Sequence, residues 1–138
     1  MRIRKYKTVD NCECVKLITD SLGKSCGRLS KEHLSARIGS KPEDYSFCRW
    51  LVAVENKKII GICGVYRTNS TPQGFWGIDW FAVDKKYRKK GVGKTLLLAI
   101  TKGIKGKIFV WATKRAMKFY AKAGFKFLEP ESDYLMVR

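Results

Sequence analysis

The sequence predicts an α/β fold that mixes strands and helices along a chain of 138 residues. Two observations carry this prediction. Apolar runs rich in β-branched and aromatic residues stand between turn-forming segments, and other segments repeat apolar residues with helical period before a glycine. The resulting order is β-α-loop-β-β-β-α-β-α-β-β. The length fits one domain, residues 1–138, which can bury a core without disulfides or a structural metal.

The N-terminal part begins with one strand and one helix. Residues 2–6 alternate apolar and basic side chains, as a strand does, and residues 10–22 repeat apolar positions at near-helical spacing behind Asp10, a suitable N-cap. Residues 23–48 are rich in glycine, serine and charge, with a short helical pattern at residues 34–38. We expect this segment to be a helical excursion with loops, which often shapes a substrate entrance.

A β-hairpin is predicted in the middle of the chain. Residues 50–54 and 59–67 form two β-type runs that the polar turn ENKK joins, and residues 75–83 form a third long run. The remaining predicted elements are a helix between Val92 and Gly103, a strand over residues 107–112, a helix between Ala116 and Gly124, and two last strands over residues 125–128 and 134–138.

The charge balance restricts the partners. The chain has 29 Lys and Arg against 12 Asp and Glu, which gives a net charge of +17. Such a positive potential attracts anions, so phosphorylated cofactors, nucleic acid and acidic proteins are candidate partners. A lysine-rich composition that serves solubility alone explains the charge equally well, and the sequence leaves both explanations open.

Cysteine usage and hydropathy indicate a cytoplasmic protein. The five cysteines are odd in number and lack the paired CxxC spacing of a zinc site, so we expect reduced thiols and no metal. No run of about eighteen apolar residues occurs, and no apolar run follows the basic N-terminus. We therefore expect neither secretion nor a membrane partner.

The only histidine and the tryptophans have structural explanations. Nucleophilic chemistry with serine or cysteine would depend on His33 alone, so we expect His33 to be solvated or to cap a helix. Tryptophans can be stacking platforms for bases, but on alternating strands they commonly form walls of a core or a cleft, and we expect this second role. The four tryptophans are Trp50, Trp76, Trp80 and Trp111.

The segment YRKKGVGK has the properties of a phosphate-binding loop. It lies between a predicted strand and a predicted helix, where a helix N-terminus offers unpaired N–H groups and partial positive charge. Gly91 and Gly93 allow the backbone to approach phosphate oxygens closely. Four cationic side chains stand at the same place: Arg88, Lys89, Lys90 and Lys94. The segment therefore predicts a site for a dianion such as pyrophosphate.

Two common phosphate-loop motifs do not fit this segment. The Walker A pattern G-x-x-x-x-G-K-S/T would need glycine where Arg88 stands. The dinucleotide pattern G-x-G-x-x-G would need a third glycine where Leu96 stands, and no acidic residue follows about twenty residues later. The segment therefore matches neither of these two nucleotide-binding motifs.

The remaining pattern, R-x-x-G-x-G, is met by Arg88, Gly91 and Gly93, and here the sequence resembles the GCN5-related N-acetyltransferase (GNAT) family. That family carries R/Q-x-x-G-x-G/A between its fourth strand and third helix. The preceding FAVDKKYR is similar to the family's V-x-P-x-x-R except at the usual proline, and AMKFYAKAGF is similar to A-x-x-F-Y-x-x-x-G-F. The resemblance is strong over residues 76–125 and covers nearly the whole chain.

The resemblance implies a fold and a cofactor site. The fold would be a central, mixed, mostly antiparallel twisted sheet of six to seven strands flanked by about four helices. Acetyl-CoA would lie in a V-shaped opening between the strand that ends at Val83 and the strand over residues 107–112. Its pyrophosphate would accept N–H bonds from residues 89–94, which include Val92, and its pantetheine arm would pair with the backbone of Phe81, Ala82 and Val83.

The resemblance also implies direct acetyl transfer from acetyl-CoA to a primary amine. Tyr120 corresponds to the family tyrosine that protonates the departing thiolate, or it is a core tyrosine. Asp79 stands where many relatives carry a glutamate that deprotonates the amine, or it faces solvent or a lysine. Thr113 replaces an asparagine that contacts the cofactor, so one hydroxyl stands where an amide is usual.

Other functions stay open at this point. A nucleic-acid binding module would fit the net charge and the basic segment KRAMKFYAKAGFK, and an acetyltransferase with an RNA-linked or ribosomal acceptor would combine both functions. A family member that binds acyl-CoA without catalysis is a third alternative. The acceptor is not readable from the sequence, and the last strands of such folds can exchange between subunits of a homodimer.

Overall fold

A computed structural model of the protein describes residues 1–34, 45–127 and 135–138. These residues form seven strands and four α-helices. The strands are β1 (Arg2–Lys5), β2 (Tyr45–Glu55), β3 (Lys58–Thr68), β4 (Phe75–Val83), β5 (Lys107–Trp111), β6 (Lys126–Phe127) and β7 (Leu135–Val137). The helices are α1 (Asn11–Leu22), α2 (Lys24–Leu34), α3 (Val92–Thr101) and α4 (Met117–Lys122).

All seven strands belong to one sheet with the order β1-β2-β3-β4-β5-β7-β6. Every neighbouring pair is antiparallel except β4 and β5, which are parallel because α3 crosses over between them. The predicted mixed, mostly antiparallel sheet with about four helices is therefore confirmed.

Helices cover both faces of the sheet. On the face that α1 and α2 cover, Ile18 and Leu34 pack against Ile62 of β3, and we call this the α1–α2 face. On the opposite face, which we call the α3–α4 face, Leu96 of α3 and Tyr120 of α4 belong to the second core cluster. Both clusters include residues of β4, so this strand is packed on both of its faces.

A β-bulge interrupts β4 in its second half. Gly64 of β3 pairs with Asp79, but Ile62 pairs with Ala82, so two residues of β4 oppose one residue of β3. Within the bulge, Trp80 has the positive φ of 47°. The parallel pairing of β4 with β5 ends at the pair Gly77 and Phe109. Beyond this pair β4 and β5 are not paired with each other, as the V-shaped opening implied by the family resemblance requires.

Two elements differ from the sequence-based expectation. Helix α2 spans Lys24–Leu34, where an excursion with loops was expected, because its buried positions are Gly27, Ser30 and Leu34 and give little apolar signal. Strand β2 begins at Tyr45, before the expected start at residue 50, because it follows β3 as far as the pair of Tyr45 with Thr68. The helical pattern at residues 34–38 falls almost wholly outside the described residues, and so does part of the strand predicted over residues 125–128.

Candidate active site

A cavity of about 670 Å³ opens at the C-terminal end of β4. Its walls come from the end of β4, from the loop and first turn of α3, from the segment that enters α4, and from the end of α1. Ten predicted cofactor-binding residues line it: Phe81, Ala82, Val83, Arg88, Lys89, Gly91, Val92, Gly93, Lys94 and Thr113. Lys90 is not among the described lining residues, and its ammonium lies 5.5 Å from the ring centre of Tyr87.

The N-terminus of α3 faces this cavity with free backbone donors. Gly91 is the N-cap in the left-handed conformation, with φ 84°, and no side chain caps the helix. The first helical hydrogen bond runs from Thr95 N to Gly91 O at 3.0 Å, and within the described structure the N–H groups of residues 92–94 have no partner. Three orphan donors at the positive end of a helix form a site for a phosphate group.

The approach of Gly93 to its neighbours is ordinary. A Cβ on Gly93 would lie 3.4 Å from Phe119 Cε2, which is a normal van der Waals distance. The protein itself therefore leaves room for a small side chain at this position. A requirement for glycine at this position would therefore come from a ligand in the cavity, and not from the protein.

Asp84 shapes the loop that leads to α3. Its carboxylate accepts a hydrogen bond from Lys86 N at 2.9 Å and lies 3.3 Å from the Lys58 ammonium. The bond from Lys86 N and the charge of Lys58 hold the pKa of Asp84 below its usual range. A capping aspartate thus fixes the turn that leads to α3.

Arg88 ties this loop to β4 and to α1. Its Nε donates to Val83 O at 3.1 Å, and its Nη2 donates to Ser21 Oγ at 3.2 Å. Arg115 donates from Nη2 to Ser21 O at 3.3 Å, so both guanidinium groups meet at the end of α1. Burial lowers the pKa of Arg88, and the nearby charge of Arg115 lowers it further.

The two arginines make the rim of the cavity an anion site. Among the described residues, no carboxylate lies within ion-pair distance of Arg88 or Arg115. Two close cations without a carboxylate favour a bound anion, which would relieve their repulsion. The sequence analysis missed Arg115 and Ser21, because no motif marks them and only the folded chain brings residues 21 and 115 together.

Tyr120 lies at the inner end of the cavity. It is 5% exposed, and its ring packs against Phe81, Phe119 and Phe125 with centroid distances of 6.0, 5.2 and 5.4 Å. No group in the described part of the chain forms a hydrogen bond with its hydroxyl. Burial raises the pKa of Tyr120 well above the ordinary value, and the charge of Cys63 adds to the shift, so the phenol stays protonated.

Asp79 lies apart from this cavity, on the α1–α2 face of β4. It pairs with Gly64, where a Cβ would collide with the indole of Trp50, and Trp50 packs on the α1–α2 face. Burial raises the pKa of Tyr66 to about 12, and the carboxylate charge of Asp79 contributes to that shift. Asp79 and the buried ring of Tyr120 therefore approach the end of β4 from opposite faces.

His33 and Trp111 differ from the sequence-based expectation. A solvated or capping histidine was expected, but His33 is half-buried in the last turn of α2, and its Nδ1 accepts a hydrogen bond from Trp80 Nε1 at 3.2 Å. Trp50, Trp76 and Trp80 pack against the core clusters, as expected. Trp111 is 63% exposed, so the expectation of a core or cleft position is wrong for this tryptophan.

The described helices are all too short or too polar to cross a bilayer. Comparison with curated protein sequences gave no significant match.

A family model described as an acetyltransferase (GNAT) domain matches residues 46–127, which is more than half of the chain.

Three solved structures share the fold at low sequence identity. An acetyltransferase of the GNAT family from Staphylococcus aureus has a TM-score of 0.76 and 18% identity, with 99% of this chain and 97% of that chain covered. The PaiA N-acetyltransferase from Thermoplasma acidophilum, in complex with coenzyme A, has a TM-score of 0.75 and 20% identity, with 99% and 97% covered. A GNAT-family N-acetyltransferase from Escherichia coli, also in complex with coenzyme A, has a TM-score of 0.74 and 17% identity, with 99% and 79% covered.

The short parallel pairing of β4 with β5 and the uncapped helix beside the cavity suit a protein that binds a phosphate-bearing cosubstrate. The family match is the more specific finding, and by it the chain belongs to the GNAT family of acetyltransferases. It is an N-acetyltransferase, and acetyl-CoA is its cosubstrate.

Replacing Arg115 with alanine is expected to weaken acetyl-CoA binding about tenfold, because one charge-assisted hydrogen bond to a phosphate is lost. Isothermal titration calorimetry would measure the dissociation constant. Lys114→Ala is the matched control, since it removes the same charge from the neighbouring residue, which does not line the cavity. Equal losses in the two variants would show that Arg115 acts only through the general positive potential.

Proposed function

We propose that the enzyme transfers the acetyl group of acetyl-CoA to a primary amine by direct attack of the amine on the thioester. One observation carries this proposal: a single cavity joins the uncapped N-terminus of α3 to the last residues of β4, which lie beyond the last pair of β4 with β5. A phosphate site and a backbone cleft in one cavity suit a long molecule with phosphates at one end and a reactive group at the other.

The chain offers three groups of contacts along that molecule. The N–H groups of residues 92–94 and the cations around them would hold the pyrophosphate. Backbone groups of Phe81 to Val83 on the side of β5 have no strand partner in the described structure. Val83 O accepts a hydrogen bond from Arg88 Nε, and the other groups would pair with the amides of the pantetheine arm. Thr113 lines the opposite wall, where its Oγ1 already accepts a hydrogen bond from Ala116 N at 3.3 Å.

Acetyl-CoA supplies the thioester that makes the acetyl group transferable at neutral pH. The protein's tasks are to orient it, to exclude water and to move two protons. Tyr120 would move one of them: it lines the cavity beside Phe81, and its phenol is protonated. Burial makes the phenol a weaker acid, but the same dry cleft also raises the pKa of the leaving thiol, so the transfer of a proton between them stays feasible.

Asp79 would accept the other proton. It lies on the α1–α2 face, on the strand that carries the cleft, and it precedes the bulge residue Trp80. A carboxylate there would accept the proton of an incoming ammonium group, directly or through water. With Asp79 on one face and Tyr120 on the other, the proton of the amine and the proton of the thiol would follow separate routes.

Replacing Asp79 with asparagine is expected to lower kcat by about a hundredfold and to leave the dissociation constant of acetyl-CoA unchanged, because only the proton acceptor for the amine is removed. Asp84→Asn is the matched control: it neutralises the next carboxylate along the chain but keeps an oxygen to cap the turn. A kcat of Asp79→Asn equal to that of the control would assign the base to another residue.

The proposed function is tested first by calorimetric titration with acetyl-CoA, with desulfo-CoA and ATP as comparisons. We expect acetyl-CoA to bind and ATP to bind far more weakly, because ATP has no pantetheine arm for the cleft. Release of free thiol would then be measured with a panel of primary amines. Absence of acetyl-CoA binding at millimolar concentration would overturn the proposal.

The proposal includes one catalytic domain over residues 1–138 and a cytoplasmic location. Among the described residues, which include all five cysteines, no disulfide forms. Reduced cysteines suit a reducing compartment.

A further inference from the structure

Trp80 occupies a conformation that aromatic residues rarely adopt. Its φ of 47° lies in the left-handed region, where a bulky side chain is disfavoured. Such a residue persists only where its surroundings hold it in place. The contacts of its indole therefore show what maintains the bulge in β4.

Helix α2 supplies one of these contacts. His33 Nδ1 accepts a hydrogen bond from Trp80 Nε1 at 3.2 Å, and the two rings lie 5.5 Å apart with their planes tilted by 55°. Both side chains are half-buried, so water competes weakly for the bond. The indole also packs against the core cluster of the α1–α2 face.

The bulge determines the face of the sheet on which each later side chain of β4 lies. Phe81 is the next residue, lines the cavity on the opposite face, and has its ring centre 6.0 Å from that of Tyr120. A change of one residue in the register of a strand moves every later side chain to the other face. Loss of the bulge would therefore redirect Phe81 and the backbone up to Val83.

We propose that His33 is a positioning residue for acetyl transfer, because its hydrogen bond to Trp80 keeps the β4 bulge in the conformation that aligns Phe81 to Val83 with the thioester. This inference rests on the proposed function for its kinetic effect. The structural effect on β4 is independent of that function, and the two are measured separately.

The kinetic arm compares His33→Ala with His33→Asn. We expect His33→Ala to lower kcat by about three- to tenfold, as loss of one hydrogen bond does, while the affinity for acetyl-CoA falls less than kcat since the contacts of residues 92–94 with the phosphates persist. The asparagine Oδ1 can accept at the place of Nδ1, so His33→Asn should recover most of the rate. Glu32→Ala, at the exposed neighbouring position on α2, is the control and should behave as wild type.

The structural arm uses NMR without turnover. The chain has four tryptophans, so the indole N–H signal of Trp80 can be assigned by its disappearance in Trp80→Phe. We expect His33→Ala to shift this signal and the backbone amide signals of Phe81 and Val83, and His33→Asn to leave them near their wild-type positions.

Unchanged amide signals in His33→Ala would overturn the positioning role, whether or not the enzyme is active. A kcat of His33→Asn as low as that of His33→Ala, in folded protein, would overturn it as well. If wild type neither binds acetyl-CoA nor transfers acetyl groups, the proposed function fails, and the amide signals still decide whether His33 holds the bulge.

Discussion

Replacement of Gly91 by valine is expected to weaken acetyl-CoA binding at least about a hundredfold. Gly91 has a φ of 84°, which a β-branched residue adopts only at a cost of about 1–2 kcal/mol. Relief of this strain would rotate the peptide groups at the start of α3 and turn away the N–H groups of residues 92–94. Several hydrogen bonds to pyrophosphate would be lost together, and calorimetry would measure the change in affinity.

The chain offers a close control at the other end of the same helix. Gly103 has a φ of 82°, and like Gly91 it has no atom within 4 Å of an added Cβ. Gly103→Val should therefore lower the melting temperature by a similar few degrees and leave acetyl-CoA binding intact. Equal binding losses in the two variants would show that strain in α3, and not the phosphate loop, explains the effect.

Replacement of Tyr120 by phenylalanine is expected to lower kcat by about a hundredfold and to leave the dissociation constant of acetyl-CoA unchanged. The substitution removes only the hydroxyl, so the aromatic contacts with Phe81, Phe119 and Phe125 persist. The proton for the leaving thiolate would then have to come from water, which no group of fixed position holds beside the sulfur. Steady-state kinetics with a fixed amine would measure kcat.

Tyr87→Phe provides the comparison for Tyr120→Phe. Tyr87 lines the same cavity, but it belongs to the turn before the phosphate loop and lies beside Lys90. We expect kcat to be unaffected in this variant. If Tyr120→Phe also turned over at the wild-type rate, Tyr120 would be a core tyrosine and the acid would lie elsewhere.

Most of the fold follows from the sequence because most of its core is marked by periodicity. The strands around the hairpin alternate or run apolar, and α3 buries Leu96 and Ile100 at helical spacing. Helix α2 lacks this apolar periodicity because it packs against α1 through Gly27, where a Cβ would collide with the side chain of Thr19. Close contact between two helices replaces apolar bulk there, and hydropathy does not register it.

The phosphate loop of the candidate site could be predicted, but its supports could not. Spacing of Gly91 and Gly93 after Arg88 is a local pattern, which a sequence displays directly. The meeting of Arg115 with Ser21 and the bond of His33 to Trp80 join residues 94 and 47 positions apart. Only the packing of α1 and α2 against the sheet creates these pairs. The bulge at Trp80 likewise breaks the alternation that would have assigned a face to Asp79.

Strands β4 and β5 share only three paired positions before they separate. Where the two strands are not paired, the sheet is interrupted, and such an interruption can be reached from either face of the sheet. Under the proposed function, acetyl-CoA would occupy the cavity and the amine would come from the α1–α2 face, so the two reactants would not pass each other. Each product would leave on the side from which its reactant came. The entrance for the amine could then change through evolution while the entrance for acetyl-CoA stays the same.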